Sequence, residues 1–185
     1  MRKYALSPCG FTLVELLMTL SILAVLLALG VPAYGKLIGH TQGHSAGSML
    51  QASLNAARIA AVSRTAHVVA CPSEDQLTCS HTTQWHHGWL LFADADHDGE
   101  RSDDETLLQV TQAQPNGVAI VTTTGRPHVV FKPDGRADGN NLTLTVCDRV
   151  AGAADATSLI INMAGRVRSS KASLEAAARC LQVAG

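Results

Sequence analysis

From Phe11 to Val31 every residue is apolar, small or hydroxyl-bearing, with Glu15 as the one exception. No other feature of the chain constrains its fold as strongly. At about 1.5 Å of rise per residue this run makes a helix about long enough to cross a bilayer. A carboxylate in such a span is costly and marks a function by default. Arg2 and Lys3 precede the run, and a positive leader stays cytoplasmic, placing everything after Val31 outside the cytoplasm. A secretory signal carries its cleavage site after the apolar core. Here the candidate cleavage point, Gly10, comes before it, so processing would keep the apolar run.

The stretch GFTLVELLMTLSILAVLLALGVPAY, residues 10–34, resembles the N-terminus of type IV pilins and type II secretion pseudopilins. The resemblance implies that a prepilin peptidase cuts between Gly10 and Phe11, and that Phe11 then undergoes N-methylation. It gives Glu15 an assembly role: attracting the free N-terminal amine of a neighbouring subunit as the helix leaves the inner membrane for a filament. Pairing two charges in an apolar filament core is far cheaper than burying either alone. A plain signal anchor offers no reason for the acid. The expected organisation is a leader (1–10), an N-terminal helix (11–64; 11–31 transmembrane or filament core, 32–64 stem) and a head domain (65–185).

Pro32 is expected to kink or break the helix. Gly35, Gly39, Gly43 and Gly47 follow at intervals of four, on one helical face, each weakening a helix by about 1 kcal/mol relative to alanine. Close helix packing, local melting in a filament, and a loose stem without a role are all open readings. From Met49 good helix formers return, with Leu50, Leu54, Ala57 and Ala61 on one stripe suited to packing on a sheet. Seven short runs rich in β-formers follow: residues 67–71, 88–92, 106–110, 118–123, 128–131, 141–147 and 158–163. Turn signals separate them, notably PNG at 115–117 and PDG at 133–135. The fold class is α+β, type IV pilin-like: a long N-terminal helix packed on a mostly antiparallel sheet. The roughly 120 residues after Ser63 suffice for one modest core.

Cys9 lies in the leader, leaving Cys71, Cys79, Cys147 and Cys180. Four cysteines permit three pairings. The preferred one is a sequence-local Cys71–Cys79 bridge, with Cys147–Cys180 stapling the tail to a late strand. A zinc site lacks its CxxC spacing. Residues 74–105 hold nine acids against Arg101 alone, and residues 121–185 hold eight bases and five acids. That dipolar layout suggests two surfaces with different partners.

DADHDGERSDDE, residues 94–105, fits the calcium-loop pattern through Asp94, Asp96, Asp98, Gly99 and Glu105. Its flanks read as strands rather than helices, so a solvated hairpin tip is preferred, with calcium as the alternative and no cofactor otherwise expected. His81, His86, His87 and His97 crowd the same region. Adjacent His86 and His87 would point opposite ways on a strand, which disfavours shared metal ligation. No GxSxG, HExxH, P-loop or dinucleotide fingerprint is present, and an enzyme is not expected.

NMAGRVRSSK, residues 162–171, places Arg166 and Arg168 two apart, so an extended backbone presents both on one face with Lys171 nearby. Gly165 permits a tight bend. Residues alone allow a solvated turn. The order of the GW strand, acidic loop, FKPDGR, NMAGRVR and a final cysteine resembles minor pilins of the FimT/GspH type. In the FimT-like branch a GRxR motif is implicated in binding DNA during natural transformation. The resemblance therefore implies a minor pilin of a type IV pilus binding DNA through Gly165, Arg166, Arg168 and Lys171. Lys132, Arg136 and Arg149 could widen the patch. The alternative is a structural minor pilin that initiates assembly, or a type II secretion pseudopilin of the GspH kind. Implied partners are DNA, other pilin subunits, the prepilin peptidase and the inner membrane. The implied location is the inner membrane with a periplasmic head, then the pilus at the cell surface.

Overall fold

The computed structural model describes residues 12–139 and 141–184. Gly10 and Phe11, the expected processing site, lie outside the described residues. Helix α1 (Leu13–Arg64) passes through two compact units, Met1–Lys36 and Leu37–Gly185. In the first unit the large apolar side chains from Leu13 to Val31 are at least half exposed, and the segment is long and apolar enough to cross a membrane. Its start is capped locally: the Thr12 hydroxyl accepts the Glu15 N–H at 3.2 Å. Thr-x-x-Glu is the capping-box sequence, and an acid in the first turn suits the helix dipole. Pro32 does not break the helix, one of the two outcomes expected of it, and neither do the glycines. Proline removes one hydrogen bond, and the helix continues through it.

In the second unit, Leu50, Leu54, Ala57 and Ala61 are fully buried, as the periodicity predicts. Two four-stranded antiparallel sheets supply the remainder. One has the order β3-β2-β1-β5, from β1 (His67–Pro72), β2 (Trp89–Asp94), β3 (Thr106–Thr111) and β5 (Val129–Phe131). The other has the order β4-β6-β7-β8, from β4 (Val118–Thr122), β6 (Leu142–Asp148), β7 (Thr157–Ile161) and β8 (Val167–Lys171). The seven expected runs all become strands. Strand β8 and a second helix, α2 (Leu174–Val183), were not among the elements expected.

The main core joins the α1 stripe to the inner faces of both sheets, through Val68, Trp85, Trp89, Phe131, Leu144 and Leu159. Alternation along β6 sends Leu144 and Val146 inward and Cys147 outward to a second cluster with α2. The Cys147–Cys180 disulfide fixes α2 there, and Cys71–Cys79 closes the loop after β1. The glycine stripe has a packing role. A methyl group on Gly39 would collide with the Asp148 carboxylate, while Gly43 and Gly47 face Asp148 and Val146 at van der Waals distance. Small residues there let α1 approach the end of β6 closely.

Candidate nucleic-acid interface

The β7–β8 connection is a tight turn built by Asn162 and Gly165. Gly165 N–H donates to Asn162 O at 2.8 Å, and Arg166 N–H donates to Asn162 Oδ1 at 3.0 Å. Gly165 has φ 72° and is buried against Gly135 O and the Arg58 guanidinium. Gly135 occupies a second such turn, at φ 77°, between Lys132 and Arg136. Arg58 on α1 donates from Nε to Gly135 O at 2.8 Å, and Ala137 N–H donates to Met163 O at 3.2 Å. Two Gly-Arg turns are thus pressed together and pinned from the helix. Arg166 leaves one of them with its side chain exposed to solvent.

Arg168 lies on β8, an edge strand, paired with Ile160, and is exposed. Neither arginine nor Lys171 makes an ion pair among the described residues. Lys171 is exposed but pairs with Thr157. An odd offset from Arg168 sends its side chain to the other face of the sheet, so it stands beside the arginine pair rather than within it. The flanking cations differ in kind. Lys132 Nζ holds Asp138 at 2.8 Å and Arg136 Nε holds Asp134 at 2.6 Å. The Arg136 backbone N–H and guanidinium keep the Asp134 carboxyl below its ordinary value, and the Lys132 ammonium does so for Asp138. Both bases sit on the turn beside Arg166 with their charge already partnered. Arg149 follows the far end of β6, where its N–H donates to Gly117 O. Six residues of strand separate it from the Leu142 end, about 20 Å, so the fold does not bring it to the patch.

The acidic loop joins β2 to β3 as a hairpin. The carboxylates of Asp94, Asp96 and Asp98 converge to within 4.8 Å of one another. Glu105 stands apart from them. Its Oε1 accepts the Ala95 N–H at 2.7 Å and its Oε2 the Ser102 N–H at 3.1 Å, bracing the loop. Among the four acids of the calcium pattern the fold therefore gathers three. His86 and His87 occupy a turn rather than a strand, and their rings touch, with centroids 4.2 Å apart. Burial lowers the His86 pKa.

Sequence reasoning overlooked Arg58, whose signal was the repeated Gly-Arg of PDGR and MAGR, and Arg179, which rides on the unexpected α2.

The fold and the turns can be set beside known proteins. The family described as type II transport protein GspH matches residues 46–165, and the prokaryotic N-terminal methylation motif matches residues 7–31. The chain belongs to the GspH family. Membership makes it a minor pilin or pseudopilin, a subunit of the type IV pilus or type II secretion class, and these families are structural. The GspH span runs from the buried half of α1 to Gly165 and so ends one residue short of the arginine pair. The type IV minor pilin FimU of Pseudomonas aeruginosa PAO1 is similar in two crystal forms. One has TM-score 0.55, 22% identity and coverage of 69% of this chain and 87% of that one. The other has TM-score 0.54, 22% identity and coverage of 69% and 91%. The minor pseudopilin EpsH of the Vibrio cholerae type 2 secretion system has TM-score 0.50 and 9% identity, covering 70% and 97%. These likenesses establish the pilin-like fold. No curated protein matches the chain significantly.

Proposed function

We propose that this chain is a minor pilin of a type IV pilus whose head binds DNA without sequence specificity, in support of natural transformation. One observation carries the reading: Arg166, at the end of the β7–β8 turn, and Arg168, on the edge strand it leads into, stand exposed with no acid paired to them among the described residues. Other bases on the adjoining turn are neutralised by Asp134 and Asp138. Planar guanidinium groups grip phosphate oxygens in pairs. Phosphate contacts position a protein on the duplex without reading its sequence. Gly165 and Lys171 complete the DNA-binding set, the first as the bend that aims Arg166, the second as a flanking charge. The wider biology follows the N-terminal resemblance: a prepilin peptidase cuts after Gly10, Phe11 is methylated, Glu15 docks on a neighbouring subunit, and the head faces the periplasm before the subunit enters the pilus.

The test is a gel-shift titration of the full chain in detergent micelles, at two salt concentrations, beside the Arg166→Gln/Arg168→Gln double variant. With about three phosphates neutralised, log affinity falls against log salt with a slope of roughly −2 to −3. Equal binding by the double variant, or no binding by the parent at low salt, sinks the reading. A purely structural subunit, initiating a pilus or serving a secretion filament, is the second reading, favoured by the GspH match. Loss of DNA uptake with intact secretion and twitching in a null strain separates the first from the second.

A further inference from the structure

We infer that the outer face of the β4-β6-β7-β8 sheet is a phosphate track for duplex DNA, running from Arg168 on β8 to Arg179 on α2. The inference rests on the reading that the head binds DNA, and adds a path, a residue and a preferred form of the ligand. Cross-strand register builds the floor. Arg168 pairs with Ile160, and Ile160 with Thr143. In the next row Ser170 pairs with Ser158, and Ser158 with Thr145. The Thr145 and Ser158 hydroxyls lie 3.4 Å apart, so these side chains share one face. It is the face on which Cys147 reaches α2. Helix α2 covers only part of it, and Thr123, Thr143, Thr145 and Arg179 line an open depression beside the helix.

The chemistry of this surface matches a sugar-phosphate backbone. Thr145 and Ser158 are buried in its base, while the Ser170 and Thr123 side chains are exposed and Thr143 is half-buried, and hydroxyls are common donors to phosphate oxygens. An arginine stands at each side. Arg179 is exposed and makes no ion pair among the described residues, although Glu175 lies one turn earlier on α2. Cys180, its neighbour, is buried and disulfide-bonded, so the Arg179 backbone cannot drift from the sheet. Arg168 and Thr143 are two strands apart, about 10 Å.

The aromatic residues decide between duplex and single strand. Within Leu37–Gly185 they are Trp85, Trp89, Phe92 and Phe131, and each is 0% exposed. No histidine lines the track. Single-strand binders draw much of their affinity from stacking bases on exposed aromatic rings, and this track offers no such platform among the described residues. A duplex, which presents phosphates at fixed spacing and keeps its bases inside, is the form this surface fits.

Fluorescence anisotropy tests the proposal, using the full chain in detergent micelles with a labelled duplex and a single strand of equal length. Arg179→Gln is expected to weaken duplex binding about five- to tenfold and to flatten the salt slope by about 1. Arg179→Lys should retain the slope. Arg149→Gln, the same charge change at the far end of β6, should leave both unchanged, and circular dichroism melts should match for all variants. If Arg179→Gln behaves like Arg149→Gln while Arg166→Gln/Arg168→Gln loses binding, the track is overturned and the DNA reading stands. Tighter binding of the single strand overturns the duplex assignment. Binding of neither form by the parent overturns the DNA reading itself.

Discussion

Arg166 owes its position to the residue before it, and a prediction follows from how little room that residue has. Gly165 combines a left-handed φ with a neighbour, Gly135 O, that a methyl group would strike. Gly165→Ala adds backbone strain of about 1–2 kcal/mol and an overlap of about 1–3 kcal/mol. We expect it to destabilise the head by about 2–5 kcal/mol in a chemical denaturation series and to weaken DNA binding beyond that of Arg166→Gln alone. Asp75 gives a prediction in pH. Its carboxylate accepts the N–H groups of Thr78 and Leu77 and the hydroxyls of Thr78 and Ser73, which hold its pKa well below the usual carboxylate range. A depressed folded value means that the contribution to stability is present above the unfolded pKa of about 3.9. It is lost as pH falls through the folded value. Melting temperatures of the parent and Asp75→Asn should differ by a constant amount above about pH 5 and converge below about pH 4. A difference that persists unchanged to pH 2 would contradict this.

At the scale of elements, the seven strands and the buried stripe of α1 were legible because each carries a local pattern: β-branched runs between turn signals, and Leu50, Leu54, Ala57 and Ala61 at helical spacing. Strand β8 was illegible as a strand because VRSSK has one apolar residue and exposes the rest. Its pairing with β7 is set by the Asn162–Gly165 turn and by Val167 touching the core. Helix α2 has ten residues and buries only Ala177 and Cys180, too few for a periodic signal, although Ser173 caps it through the Ala176 N–H. The two glycine turns met in space without any sign in sequence beyond a shared Gly-Arg pair. The disulfides differ in reach, and so in expected effect. Cys147–Cys180 closes a separation of 33 residues and Cys71–Cys79 one of 8. Loop-closure entropy assigns about 3–4 kcal/mol to the first and about 2–3 to the second. Cys147→Ala/Cys180→Ala should therefore lower the denaturant midpoint more than Cys71→Ala/Cys79→Ala. It should also free α2, reducing duplex binding through Arg179 while Arg166 and Arg168 remain in place. An intact salt slope in that variant would show that α2 holds its place without the bridge.

At the scale of the whole molecule, the chain has to satisfy a membrane and a filament in turn, and Glu15 is where the two demands conflict. Among the described residues it is the acid in an otherwise apolar span of α1. Two physical roles bear on it. Locally it occupies the capping-box position three residues after Thr12, whose hydroxyl receives its N–H, and an acid in the first turn is worth about 0.3–1 kcal/mol to the helix. That is small against the cost of an unpaired carboxylate in hydrocarbon. Capping alone therefore does not account for the acid, because glutamine completes the same box without charge. A cationic partner would account for it; the N-terminal methylation motif matches residues 7–31, and the partner we propose is the methylated amine of Phe11 on a neighbouring subunit. The two roles separate cleanly by substitution. Glu15→Gln keeps the cap and loses the charge; Glu15→Ala loses both. We expect both variants to insert in the membrane and to be cleaved, since an uncharged span inserts at least as well. Both should fail to reach normal levels in filaments, measured by immunoblot of sheared filaments against the membrane fraction. If Glu15→Gln is incorporated as well as the parent, the carboxylate is a helix cap and the docking charge must be sought elsewhere in the chain.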